Sequence, residues 1–110
     1  IKPVFSVMNK KMKDNYNVYV YYGAIPAYNY YREIGYTHFG QAKIIKGTRS
    51  LNFDGYLTEM KSLKGPTWFL ISHGSTAEEE QYILNGMGAR GPKLMEFIGY
   101  GSRAYLFDLK

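Results

Sequence analysis

A tyrosine-rich run, Asn17-Val-Tyr-Val-Tyr-Tyr22, passes through Gly23 straight into a segment that Pro26 opens as a helix, and this strand-then-helix unit recurs twice more. The run is rich in β-branched and aromatic residues, the composition of a strand. Its helix carries Ala27, Tyr31 and Ile34 on one face and stops at Gly35. The second unit is a strand over 42–46, a turn from Gly47 to Asn52, and a helix with Phe53, Leu57, Met60 and Leu63 on one stripe, ended by Gly65-Pro66. The third is a strand over 67–72 and a helix carrying Ile83, Leu84 and Met87, opened by Ser75 and Glu78 at capping-box spacing. Such alternation calls for right-handed crossovers and a parallel sheet with helices on both faces. A helix over about 2–13 precedes the first unit, with Val4, Phe5, Met8 and Met12 at helical spacing. Segments 94–98 and 103–109 follow as strands. The gap between them, Gly99-Tyr100-Gly101, is too short for a crossover, so they pair as an antiparallel hairpin. The expected fold is therefore α/β: a three-layer Rossmann-like sandwich with parallel strands in the order 2-1-3, plus the C-terminal hairpin.

At 110 residues the chain has the size of one compact domain, 1–110, and buries enough surface to need no staples. The absence of Cys removes thiolate nucleophiles, Cys-ligated zinc and disulfide scaffolds. No apolar run approaches the roughly 20 residues of a spanning helix. The first residue is Ile1, with no secretory apolar region after it, so the chain reads as a processed product or an excised piece of a longer one. The net charge of +5 is scattered except for Lys10, Lys11 and Lys13, which read as a solvated helix end. Twelve Tyr supply rings with a polar tip, suited to a core, a membrane surface, a carbohydrate or a partner protein.

Ligands of open α/β sheets bind at the carboxyl ends of the strands where the order reverses, here between the first and third strands. Tyr22-Gly23-Ala24-Ile25-Pro26 and Ser72-His73-Gly74-Ser75-Thr76 converge there, each bringing free amides at a helix start that suit an anion or a sugar hydroxyl. Ser75 or Thr76 would serve as a helix cap in any case. His73 beside Ser72 and Ser75 has the parts of a nucleophile pair, but no acid is placed to orient the imidazole. Two histidines, His38 and His73, without Cys do not make a metal cluster. Gly86-Met-Gly88-Ala-Arg-Gly91 matches the letters of a dinucleotide fingerprint, yet it follows a helix and runs into a strand, so its glycines are expected to cap the third helix. Glu78, Glu79 and Glu80 complement the dipole of that helix. The tyrosine-rich strand lacks an RNA-recognition signature, so no nucleic-acid partner and no cofactor are expected.

Ile1-Lys-Pro-Val, Val18-Tyr-Val-Tyr-Tyr-Gly-Ala24, Pro26-Ala27 and Tyr30-Tyr31 resemble the soluble region that follows the membrane spans of certain bacterial membrane glycosyltransferases, relatives of the dolichyl-phosphate-mannose protein mannosyltransferases. Trp68, Ser72-His73 and Tyr100-Gly-Ser-Arg-Ala-Tyr-Leu-Phe-Asp-Leu109 follow in the same order, so the resemblance covers nearly the whole chain. It implies a parent enzyme moving a sugar from a polyprenyl-phosphate carrier to an acceptor at the outer, periplasmic face of the cytoplasmic membrane. The catalytic acid of such enzymes lies in a loop between membrane spans and has no counterpart here. This domain would then be noncatalytic, with the transmembrane part of the same polypeptide as its partner, serving acceptor recognition, packing or regulation. Tyr22, Tyr28, Arg49 and His73 are the residues it would offer to the sugar acceptor or lipid-linked sugar. Two other readings stand beside this one: a freestanding Rossmann-like module binding a nucleotide or other small anion, and a small hydrolase using His73.

Overall fold

The computed structural model describes residues 2–36, 39–72, 75–99 and 101–110, which form a mixed α/β domain on an open five-stranded sheet. The chain runs α1 (Lys2–Lys11), β1 (Asn17–Val20), α2 (Ile25–Glu33), β2 (Lys43–Lys46), α3 (Asp54–Glu59), β3 (Gly65–Ser72), α4 (Ala77–Arg90), β4 (Lys93–Gly99) and β5 (Ser102–Leu109). The strand order is β2-β1-β3-β5-β4, so the expected 2-1-3 arrangement and the C-terminal hairpin are both present. β1 pairs parallel with β2 and β3, while β5 pairs antiparallel with both β3 and β4.

The pleat sorts side chains onto two cores. Val18, Val20, Trp68, Leu70, Ala104 and Leu106 meet Val4, Phe5 and Met8 of α1 and Tyr28 of α2. Tyr19, Tyr21, Phe69, Ile71, Tyr105, Phe107 and Leu109 meet Tyr56 of α3 and Ile83 and Met87 of α4. β1 is buried at all four residues because helices cover it on either side. That is why Val18, Tyr19 and Val20 run on as apolar and aromatic residues rather than alternating with polar ones.

Several boundaries differ from expectation for local reasons. The first helix ends at Lys11 instead of about 13. β1 ends at Val20 because Tyr22–Ala24 closes into a 3-10 turn, with Ala24 N–H donating to the Tyr21 carbonyl. α2 turns Tyr28 rather than Ala27 or Ile34 into the core, leaving Ile34 58% exposed just past the last helical residue. α3 is only six residues long; Met60 and Leu63 are buried, but from the turns that follow it. Gly65-Pro66 begins β3 instead of merely ending a helix. Pro66 fits because β1 starts pairing only at Thr67, so the missing N–H removes no bond on that side.

α4 is capped by Thr76 and not by Ser75: the Thr76 hydroxyl accepts from the Glu79 N–H at 3.0 Å. Replacing Thr76 with Ala is expected to cost about 1 kcal/mol in chemical denaturation, and replacing Ser75 with Ala clearly less. Gly86 and Gly88 lie inside α4 rather than at its end. A Cβ on Gly86 would collide with the Leu57 methyls, so this glycine lets α3 and α4 approach closely. Gly91 does end the helix, and there a Cβ would overlap the Asp108 carbonyl. No described helix is long and apolar enough to cross a membrane.

Candidate functional site

The strand order reverses between β1 and β3, and the turns leaving their carboxyl ends touch. Ser72 Oγ donates to the Gly23 carbonyl at 3.3 Å, and Ser75 Oγ donates to the Ser72 carbonyl at 3.5 Å. Tyr22, Gly23, Ala24, Ser72 and Ser75 are thereby brought into one neighbourhood. Gly23 is exposed, Tyr22 half-buried and Ala24 buried. His73 and Gly74, which sequence places between Ser72 and Ser75, lie outside the described residues, as does His38.

The two remaining candidates sit elsewhere. Tyr28 is 2% exposed beneath α2, its ring stacked with Phe39 and tilted against Phe5, with Lys46 Nζ 5.8 Å from its centroid. Burial pushes its phenol pKa up, an effect that Arg32 partly opposes. Arg49 is exposed on the loop after β2.

A set of tyrosine–glutamate contacts lies on the α3/α4 side of the sheet. The alternation of β1 sends Tyr19 and Tyr21 to this side. Tyr21 donates its hydroxyl to Glu79, and Tyr56 of α3 donates to the other oxygen of the same carboxylate at 3.0 Å. The Tyr22 ring lies parallel to Tyr56, 6.4 Å between centroids, and packs 4.6 Å from Tyr21, which links the β1–α2 turn to this cluster. Tyr19 donates to Glu59 at 2.6 Å, and Glu59 also accepts from the Thr48 hydroxyl at 2.8 Å and backbone N–H at 3.0 Å. Glu80 accepts from Tyr105 at 2.6 Å and from Arg103 Nε at 2.7 Å.

These environments fix the protonation states. Burial, reinforced by the neighbouring carboxylate in each case, pushes the phenols of Tyr19, Tyr21 and Tyr105 far above the usual tyrosine range. Tyr56 moves the same way, chiefly through burial. The hydrogen bond to Glu80 raises Arg103. The phenols therefore stay protonated and donate, and the carboxylates accept. A hydrogen bond to a charged group contributes roughly 1.5–3 kcal/mol, so the arrangement stiffens the face.

Sequence reasoning missed Tyr21, Tyr56 and Glu59, and gave Glu79 and Glu80 only a dipole role. Of the three consecutive glutamates Glu78 alone is exposed; Glu79 is buried and Glu80 half-buried. The available signal was Thr76-x-x-Glu79, which shifts the cap by one residue and turns the next two carboxylates toward the sheet.

Open pockets among the described residues flank the scaffold. One, of about 410 Å³, lies between α4 and the edge strand β4, lined by Leu84, Asn85, Lys93, Glu96, Tyr105 and Phe107 among others. Another, of about 450 Å³, is lined by Asn29, Arg32 and Glu33 of α2 and Lys46 of β2. Comparison with protein-family models, with curated proteins and with solved structures finds no match for this chain.

Proposed function

We propose that this chain is a noncatalytic domain, a three-layer Rossmann-like sandwich, that accompanies an integral membrane glycosyltransferase at the extracytoplasmic face of the bacterial membrane. Its partner is the transmembrane part of the same polypeptide, which performs transfer from a polyprenyl-phosphate donor. The domain presents the turns after β1 and β3 to the acceptor.

The observation that carries the noncatalytic reading is the state of the acids on the α3/α4 side. Glu59, Glu79 and Glu80 each already accept a tyrosine hydroxyl, so they hold rings in place instead of standing ready to take a proton from a substrate. The resemblance across the chain supplies the class of parent enzyme. A second reading, a freestanding module for a small anion, draws on the Ser72–Gly23 contact that joins the turns leading into α2 and α4.

Two experiments decide. The reading frame upstream of Ile1 is expected to encode long hydrophobic segments; a frame without them overturns the proposal. The 110-residue chain, given polyprenyl-phosphate-linked sugar and acceptor in detergent-free buffer, is expected to transfer nothing. Turnover by the chain alone overturns the noncatalytic role.

A further inference from the structure

We propose that the outer face of α1 and α2 docks on an anionic phospholipid surface. The net charge of +5 is unevenly placed: residues 1–53 hold eight of the 14 Lys and Arg but only two of the nine Asp and Glu. That part of the chain comprises α1, α2, β1 and β2. The two helices lie side by side, joined by the Phe5–Tyr31 ring contact at 5.3 Å and by Asn9 Nδ2 donating to the Tyr36 carbonyl at 2.8 Å.

Lys10 and Lys11 are exposed in the last turn of α1, and beside α2 Arg32 and Lys46 of β2 line the 450 Å³ pocket with Asn29. The two ion pairs among the described residues, Lys93–Glu96 and Arg103–Glu80, both lie elsewhere. Glu33 is the acid of α2 and shares the pocket; Asp14 follows α1.

α2 also exposes two large side chains one turn apart, Tyr30 and Ile34, each 58% exposed and on the side of the helix away from buried Tyr28, while Arg32, two residues from each, projects toward Lys46 of β2. Tyr suits the headgroup level, where its ring is shielded and its hydroxyl wet. Ile34 gains from burial in an apolar phase, and an aliphatic group offers a polynucleotide neither stacking nor a hydrogen bond. Cations beside exposed apolar side chains are the pattern of interfacial binding. This inference does not depend on the glycosyltransferase reading, because vesicles test it without any sugar carrier; its failure leaves that reading untouched.

The test is sedimentation of the full 110-residue chain with vesicles of phosphatidylcholine alone or with about one-third phosphatidylglycerol. Binding is expected only to the anionic vesicles, weakening as salt rises and the Debye length shrinks. Each cation at such a surface is worth roughly five-fold in affinity, so the R32E/K46E variant is expected to bind at least ten-fold more weakly. Y30S/I34S, which leaves charge unchanged, is expected to lose several-fold. K61E/K64E makes the same charge change outside this face and is expected to stay within about two-fold of the parent. All six positions are exposed, and circular dichroism checks that each variant folds. Equal binding to neutral and anionic vesicles, no binding to either, or an equal loss in K61E/K64E and R32E/K46E overturns the proposal. So does unchanged vesicle binding by Y30S/I34S together with displacement of the parent by a short oligonucleotide, which would mark the face as a nucleic-acid surface.

Discussion

Replacing Glu79 with Ala is expected to lower folding stability by about 3 kcal/mol or more, whereas Glu78→Ala should stay within roughly 1 kcal/mol of the parent. The two residues are neighbours in the first turn of α4 and share whatever the helix dipole provides, which is at most about 1 kcal/mol. They differ in what the carboxylate touches. Glu78 is exposed, while Glu79 is buried and accepts hydroxyls from Tyr21 and Tyr56. Deleting it strips the acceptor from two buried phenols, each costing roughly 1–3 kcal/mol, and leaves a gap between α3, α4 and β1. Tyr56 keeps only a long 3.5 Å contact to the Ser50 carbonyl and a 3.3 Å bond from the Ser50 N–H. Glu79→Gln retains shape and one acceptor oxygen, so its expected cost is intermediate. Urea unfolding followed by the fluorescence of Trp68, the single tryptophan and fully buried, measures all three variants. A Glu79→Ala cost equal to that of Glu78→Ala would reduce the contact to a surface accident. A double-mutant cycle with Tyr21→Phe separates the Tyr21 bond from the rest, with an expected coupling of at least about 1 kcal/mol.

That pair shows where the sequence was readable. The three strand-then-helix units, the strand order and the terminal hairpin all follow from the spacing of apolar runs and the lengths of the gaps, because those features decide which faces must be covered. The carboxyl-end neighbourhood of Tyr22, Gly23, Ser72 and Ser75 follows from strand order alone, and the Ser72–Gly23 bond places it where expected. Contacts between side chains of opposite polarity were invisible, because nothing in a glutamate's local sequence tells whether a tyrosine from another element will reach it. Glu79 and Tyr21 are 58 positions apart, and Glu59 and Tyr19 are 40 apart. Helix ends were misplaced by burial that continues past the helix: Met60 and Leu63 hold the apolar stripe, yet the backbone has already left α3. Tyr28 illustrates the opposite error of emphasis. A tyrosine beside the reversal point suggests a ligand surface, but on α2 it is the residue that turns under the helix.

Stability is expected to fall steeply once pH rises past about 10, by roughly 4 kcal/mol per pH unit. Tyr19, Tyr21 and Tyr105 have pKa values in the folded chain well above the ordinary 10.0, first through burial and then through their glutamate partners. In the unfolded chain they ionise near 10. Below that pH both states hold the three protons and the contribution is fully present. Above it the unfolded state loses them while the folded state does not, so the unfolded state binds fewer protons and the slope is negative. Each such tyrosine contributes about 1.36 kcal/mol per pH unit, and three give the stated slope. A net stability at the low end of the usual range, about 5 kcal/mol, is exhausted a little above pH 11, and a larger one at correspondingly higher pH. Phenolate absorbance and Trp68 fluorescence are expected to change together there, since these hydroxyls ionise only as the fold opens. Tyr19→Phe or Tyr105→Phe removes one proton from the balance and should flatten the slope by about a third, even though each variant is less stable at neutral pH. Phenolate appearing near pH 10 for all tyrosines, with fluorescence unchanged, would mean that the tyrosine–glutamate contacts do not hold those protons and that the stiffness attributed to this side of the sheet has another origin.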